Sequence, residues 1–182
     1  TESLDHRPSY APVLHSLWVH YLCVDRLAVS LETAEKLLAA GTAANDDSLV
    51  LVGYRAAVGS HYWLGNHTDA LRHGDALHAL YDPVRHHHIV QQTNTDPLTG
   101  DGIYRGQCLW MLGYPDQARA ASDAKDEHAR RRNHPFDLAF ALTLGAQDVG
   151  LPLGLGGQDR GLLGALGGQV LGLLLPPGLP DP

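Results

Sequence analysis

Hydrophobic residues recur at helical spacing along the first 143 residues of the chain. Between residues 8 and 22 they follow the i, i+3, i+4, i+7 pattern, which favours an amphipathic helix over a strand. The same spacing predicts helices over residues 27–40, 47–64 and 68–81, and a further helical hairpin over residues 103–132. Gly41 is expected to end the second helix. The polar stretch 85–102, with an Asp-Pro step and two glycines, predicts a loop or an irregular start to the third helix pair.

A Leu-Gly pair occurs twice at the end of a predicted helix. Each copy continues with turn and cap residues and reaches an alanine five positions after its glycine. Glycine can adopt the positive φ at which helices commonly end, and alanine lets the second helix lie close to the first. The predicted repeat-packing positions are therefore Gly65 and Ala70 in one copy, and Gly113 and Ala118 in the other.

The two copies indicate a helix-turn-helix unit that is repeated along the chain. Aligning the second helices places Ser30 of a more divergent first unit at the position of these alanines, and His134 to Leu142 would open a fourth unit. The predicted fold is all-α: a tetratricopeptide-like helical-hairpin solenoid in which each hairpin hides the apolar face of its neighbour. First helices would line a concave surface, and second helices the convex one.

The chain changes character after residue 143. Residues 144–182 contain 11 of the 20 glycines and five of the 11 prolines, and each glycine inside a helix costs about 1 kcal/mol relative to alanine. We therefore predict a helical repeat domain over residues 1–143 and an irregular Gly/Leu/Pro-rich tail over 144–182. Excess Leu, Gly and Pro is also typical of a G/C-rich gene read out of frame, so we hypothesise a frameshifted tail.

Charge and cysteine content limit the classes of partner. The net charge of −7 with neutral histidines disfavours a nucleic-acid surface. The two cysteines lie far apart in the sequence, which indicates a reducing, cytoplasmic setting. The apolar stretch 161–175 contains five glycines and falls short of the ~20 residues that span a bilayer, so no membrane contact is expected.

Twelve histidines are the one unusual feature of the composition. His86, His87 and His88 are adjacent, so in a helix they cannot all face one metal ion, whereas in a loop they could supply two ligands. No H-E-x-x-H arrangement occurs in the sequence. Exposed or packing histidines are the favoured interpretation, no cofactor is expected, and a His-rich metal-binding protein or hydrolase remains an alternative.

Four segments carry more information than the repeat pattern: Tyr10-Ala11-Pro12-Val13-Leu14 with Leu17-Trp18-Val19, Tyr81-Asp82-Pro83, Leu109-Trp110-Met111-Leu112-Gly113-Tyr114-Pro115-Asp116-Gln117-Ala118, and His134-Pro135-Phe136 with Leu138-Ala139-Phe140-Ala141-Leu142. Over about residues 8–143 the chain thus resembles the tetratricopeptide region of large bacterial signalling ATPases. Members of that group typically join an adenylate/guanylate cyclase domain or a winged-helix regulator to a P-loop ATPase core. The resemblance implies a regulatory module. The sequence has no G-x-x-x-x-G-K-[ST] loop, so it implies no catalysis here.

The predicted function is therefore non-catalytic protein interaction or regulatory sensing. The partner would be a protein or peptide segment, or another domain of a parent chain. Candidate groove contacts are aromatic and charged residues of the predicted first helices: Tyr54, His61, Arg105 and Trp110. A second alternative is a truncated fragment without independent function, which would self-associate through its uncapped end.

Overall fold

A computed structural model describes the backbone of residues 11–145 and the side chains of residues 12–142. This part of the chain is all-α and contains eight helices: α1 (Ala11–Cys23), α2 (Leu27–Ala44), α3 (Asp47–Trp63), α4 (His67–Leu80), α5 (Ile89–Thr93), α6 (Pro97–Met111), α7 (Pro115–Arg132) and α8 (Pro135–Gly145). Except for residues 144 and 145, the predicted Gly/Leu/Pro-rich tail lies outside the described residues. None of the described helices has both the length and the hydropathy needed to cross a bilayer.

The helices pack as consecutive pairs, so the all-α prediction is confirmed. The first members of the pairs, α1, α3, α6 and α8, each contact the next one along the chain. We call these four helices the first-helix layer. The helices α2, α4 and α7 each pack against the two members of this layer that flank them in the sequence.

Each helix pair turns with the same backbone geometry. A residue with positive φ follows the first helix of each pair: Asp25 (φ 57°), Gly65 (φ 78°) and Gly113 (φ 87°). The N–H of the following residue donates to the carbonyl five residues back, which is the wide hydrogen bond of a Schellman motif. Five residues after each positive φ lies a small, fully buried residue: Ser30, Ala70 and Ala118. The first pair thus has the same turn without the glycine.

Gly41 does not end α2, and that prediction was wrong. Gly41 is buried inside the helix, which continues to Ala44, and Asn45 takes the left-handed conformation with φ 50°. A Cβ at Gly41 would lie 2.7 Å from the backbone nitrogen of Val50. The glycine is therefore a site of close approach between α2 and α3, and Asn45 provides the helix end.

The prediction of a loop over residues 85–102 was wrong for residues 89–93, which form the short helix α5, and for residues 97–102, where the alternative of a start to the third helix pair holds. Helix α6 begins at Pro97, and the Asp96 side chain accepts a hydrogen bond from the backbone N–H of Leu98. Proline suits the first turn of a helix and aspartate suits its N-cap, so the Asp-Pro step is a helix start. Gly100 and Gly102 interrupt the apolar pattern inside α6. The side chain of Arg55 lies against Gly100 and that of Lys125 lies against Gly102, so neither position has room for a Cβ.

Candidate functional site

A cavity of about 430 Å³ opens on the first-helix layer. Its walls come from α1, α3, α8 and the segment 92–95 that precedes α6. Its apolar lining residues are Val19, Phe136 and Phe140. Its polar lining residues include His15, Arg55, Gln92 and Asn94. Volumes of roughly 300–1,000 Å³ with apolar walls and a few converging polar groups are typical of small-ligand sites.

Arg55 is the charged residue of this cavity and is only 5 % exposed. Its Nη1 atom lies 2.6 Å from Nε2 of His15, and its guanidinium carbon lies 5.3 Å from the centre of the Trp18 ring. The Nε atom is buried and has no hydrogen-bond partner. No acidic side chain of the described residues forms an ion pair with Arg55. A buried cation thus lines the cavity without a direct ion pair.

The absence of a side chain at Gly100 makes room for this arginine. A Cβ at Gly100 would lie 2.2 Å from Nε and 2.8 Å from Cδ of Arg55. The Arg55 side chain therefore lies directly over the backbone of α6, with its guanidinium held between α6, α1 and the cavity. Substituting Gly100 would move the guanidinium without changing any residue that lines the cavity.

His15 fixes the other side of the guanidinium. Because Arg55 can only donate, the Nε2 atom of His15 must accept, which requires a neutral imidazole that carries its proton on Nδ1. Burial and the neighbouring Arg55 charge lower the pKa of His15 to about 3. The imidazole is therefore a neutral acceptor at physiological pH, and Arg55 is the cation of the pair.

A chain of buried hydrogen bonds holds the Trp18 ring against Arg55. The indole N–H of Trp18 donates to the Ser60 hydroxyl at 2.9 Å, and the Ser60 and Ser30 hydroxyl oxygens lie 2.9 Å apart. All three side chains are buried. Because they belong to α1, α3 and α2, these hydrogen bonds link three helices and hold Trp18 beside Arg55.

A second polar network supports the part of the cavity that α8 lines. Asp137 of α8 accepts hydrogen bonds from the Asp96 backbone N–H at 2.9 Å and from the Thr99 hydroxyl at 2.8 Å. The Asp96 carboxylate accepts from Tyr81 at 2.6 Å and lies 2.9 Å from Nε2 of His128. These bonds tie α8, with its two cavity-lining phenylalanines, to the start of α6.

The two buried carboxyls of this network differ in pKa. Burial raises the pKa of Asp137 above its ordinary value. Burial opposes ionisation of Asp96 as well, but hydrogen bonds from His128 and Tyr81 outweigh that effect and lower its pKa. The ionised form is thus better stabilised at Asp96 than at Asp137.

None of the four predicted groove contacts lines the cavity. Tyr54 and His61 pack against His73 of α4, with ring centres 6.0 Å and 5.1 Å apart. Arg105 forms ion pairs with Asp101 and with Asp75 of α4. These three residues therefore lie where the first-helix layer meets α4. Trp110 is 45 % exposed near the turn between α6 and α7.

The three adjacent histidines have three separate partners. His86 is buried, and its Nδ1 accepts from the Asp82 backbone N–H at 2.9 Å. Nδ1 of His87 lies 2.7 Å from the Val84 carbonyl oxygen, and Nε2 of His88 lies 3.2 Å from the Ser48 hydroxyl. Over residues 11–145, no group of three or more His, Cys, Asp or Glu side chains could hold a metal ion.

The polar residues that line the cavity were not predicted from the sequence. Arg55 interrupts the apolar run from Leu49 to Val58 in the middle of a buried helix. An arginine at such a position requires a specific environment, because charged side chains are almost never fully buried unless they are paired. That signal was present in the sequence. The partner residue His15, 40 positions away, was not predictable from spacing.

No protein-family model, curated protein or solved structure matches this chain. Among the described residues, the cavity that carries Arg55 combines a buried charge, unused hydrogen-bond donors and an apolar lining, and it is the candidate functional site.

Proposed function

We propose that the chain is a non-catalytic recognition module of the tetratricopeptide type, which binds a segment of a protein partner or of another domain. The cavity on the first-helix layer receives one side chain or chain end of that segment. The single observation behind this proposal is an arginine, buried without a direct ion pair, on the wall of an open, largely apolar cavity.

The arrangement of the helices supports this assignment. Helices α1, α3 and α8 come from three different units, so a ligand in the cavity touches all three at once. A bound segment would therefore stabilise one relative placement of these units. That is how a repeat array can transmit a binding event to an attached domain.

The test uses a variant that closes the cavity and a matched control. Ser16 lines the cavity, is exposed, and donates its hydroxyl to the carbonyl four residues back in α1. Thr42 is exposed and makes the same kind of hydrogen bond in α2, away from the cavity. Peptides are selected from a random displayed library on the unmodified protein, and their affinities are measured for Ser16→Trp and Thr42→Trp.

The expected result is that the selected peptides lose at least tenfold in affinity for Ser16→Trp and keep their affinity for Thr42→Trp. Both variants must keep the helical circular dichroism of the unmodified protein. Peptides that bind all three proteins equally would show that the cavity is not the recognition site.

A further inference from the structure

We infer, building on the proposed function, that the group recognised in this cavity is a carboxylate attached to an apolar body, with Arg55 as its counterion. The carboxylate belongs either to a peptide C-terminus or to a free organic acid.

The first observation is that Arg55 has unused donors. A guanidinium has five N–H groups in a planar fork, and Arg55 makes one hydrogen bond, to His15. A buried charge without a direct ion pair is costly, because the carboxyls of Asp137 and Asp96, which do not contact it, compensate only in part for its removal from water. A ligand carboxylate would supply a direct ion pair through charge-assisted hydrogen bonds.

The second observation is the charge of the cavity, which favours a ligand with a single negative charge. Arg55 supplies one positive charge, and the His15 imidazole that accepts its hydrogen bond is neutral. The carboxyls of Asp96 and Asp137 are close enough to act electrostatically on Arg55, although neither forms an ion pair with it. A dianion such as a phosphate monoester would therefore leave one charge uncompensated beside two acidic residues.

The third observation is the apolar part of the cavity lining. Phe136 and Phe140 are one turn apart in α8, with nearly parallel rings 6.1 Å apart, and both line the cavity. They give the cavity an apolar surface in addition to the charge of Arg55. The exposed amides of Gln92 and Asn94 have no hydrogen-bond partner among the described residues and can donate to a second oxygen at the rim.

The experiment compares probes that differ in one feature. N-acetyl-phenylalanine represents a peptide C-terminus, its carboxamide removes the charge, 3-phenylpropanoate represents a free acid, and phenyl phosphate represents a dianion. Binding is followed by two-dimensional ¹H–¹⁵N NMR on the whole chain, including the side-chain Nε–H signal of Arg55. One charge-assisted hydrogen bond predicts that N-acetyl-phenylalanine binds roughly tenfold or more tightly than its amide.

Two arginine variants distinguish an effect of the cavity arginine from an effect of the net charge of the protein. Arg55→Gln removes the counterion, whereas Arg72→Gln removes the same charge from an exposed arginine paired with Asp69. The preference for acid over amide is expected to disappear in Arg55→Gln and to persist in Arg72→Gln. If Arg55→Gln does not fold, a shift of the Arg55 Nε–H signal that the acid induces and the amide does not gives the same answer.

The outcomes also separate this inference from the proposed function. Equal affinities for acid and amide, both lost in Ser16→Trp, would refute recognition of a carboxylate and leave the cavity as a binding site. Tighter binding of phenyl phosphate than of the two carboxylates would refute the preference for a single negative charge. Failure of every probe to bind would overturn the inference, while the peptide selection tests the proposed function separately. If the carboxylate is correct, the stronger of N-acetyl-phenylalanine and 3-phenylpropanoate identifies its source.

Discussion

The neutral state of His15 makes a quantitative prediction about stability and pH. The pKa of His15 is lowered to about 3 in the folded protein, from an ordinary value of about 6.5. Because the folded-state pKa is depressed, the unfolded chain takes up a proton first as the pH falls. The contribution of neutral His15 to stability is therefore complete above pH 6.5 and is lost progressively toward pH 3.

The size of the effect follows from the two pKa values. Each pKa unit corresponds to about 1.4 kcal/mol, so lowering the pH from 7.5 to 5.0 should cost about 2 kcal/mol through His15 alone. The physical reason is that a protonated His15 would place a second buried cation against Arg55 and would lose the acceptor for its hydrogen bond. A loss of this size corresponds to a fall of about 1 M in the midpoint of urea unfolding.

The assay compares the unmodified protein with His15→Gln by urea unfolding at pH 7.5 and pH 5.0, followed by circular dichroism. Glutamine keeps a neutral acceptor for Arg55 and does not titrate. Burial also lowers the pKa values of His61, His73 and His86, but these groups are common to both proteins and cancel in the difference. The unmodified protein should lose about 2 kcal/mol more than the variant.

The control is His20→Gln, which removes an exposed imidazole from the same helix. It should retain the pH dependence of the unmodified protein. An equal loss of stability in the unmodified protein and His15→Gln between the two pH values would refute the account of His15 as a buried neutral acceptor.

Three further predictions follow from close contacts. Gly100→Ala should destabilise the protein by about 1–3 kcal/mol in urea unfolding, because the added Cβ overlaps Arg55. The control is Gly106→Ala in the same helix, where the nearest atom to the added Cβ is the Ala118 carbonyl oxygen at 3.4 Å. It should be neutral or stabilise the protein by up to about 1 kcal/mol. Asp96→Ala should cost about 3–5 kcal/mol, since three half-buried partners, Tyr81, His128 and Arg132, lose their shared acceptor, and a cost below 1 kcal/mol would contradict the network. Trp18→Phe should lower the midpoint of thermal unfolding by several degrees, because the Ser60 hydroxyl loses its donor, and an unchanged midpoint would argue against that hydrogen bond.

Local signals in the sequence were sufficient for most of the fold. Helical spacing and the Leu-Gly turns identified the helix pairs because both depend on residues within a few positions of each other. The failures at Gly41 and Gly100 have one physical cause. Each glycine is required by a contact with another helix, at Val50 and at Arg55, and such contacts leave no trace in the local pattern.

The candidate site was less accessible to sequence reasoning. Aromatic and charged residues of the first helices were selected as groove contacts, but helical spacing does not determine which face meets α4 and which meets the cavity. The cavity depends on residues from α1, α3 and α8 that lie up to 125 positions apart, from His15 to Phe140. The one local clue was an arginine inside an apolar helix. The Asp-Pro step at residues 96–97 was a second readable signal, for the start of α6.

The position of a bound probe tests the central claim most directly. Intermolecular nuclear Overhauser effects would be measured between the ring protons of N-acetyl-phenylalanine and the methyl and aromatic protons of the protein. The account predicts contacts to Val19 and Phe140, two apolar residues that line the cavity. Contacts confined to the exposed side chains near the two Leu-Gly turns, Trp63 and Trp110, would contradict it and place recognition at that edge instead.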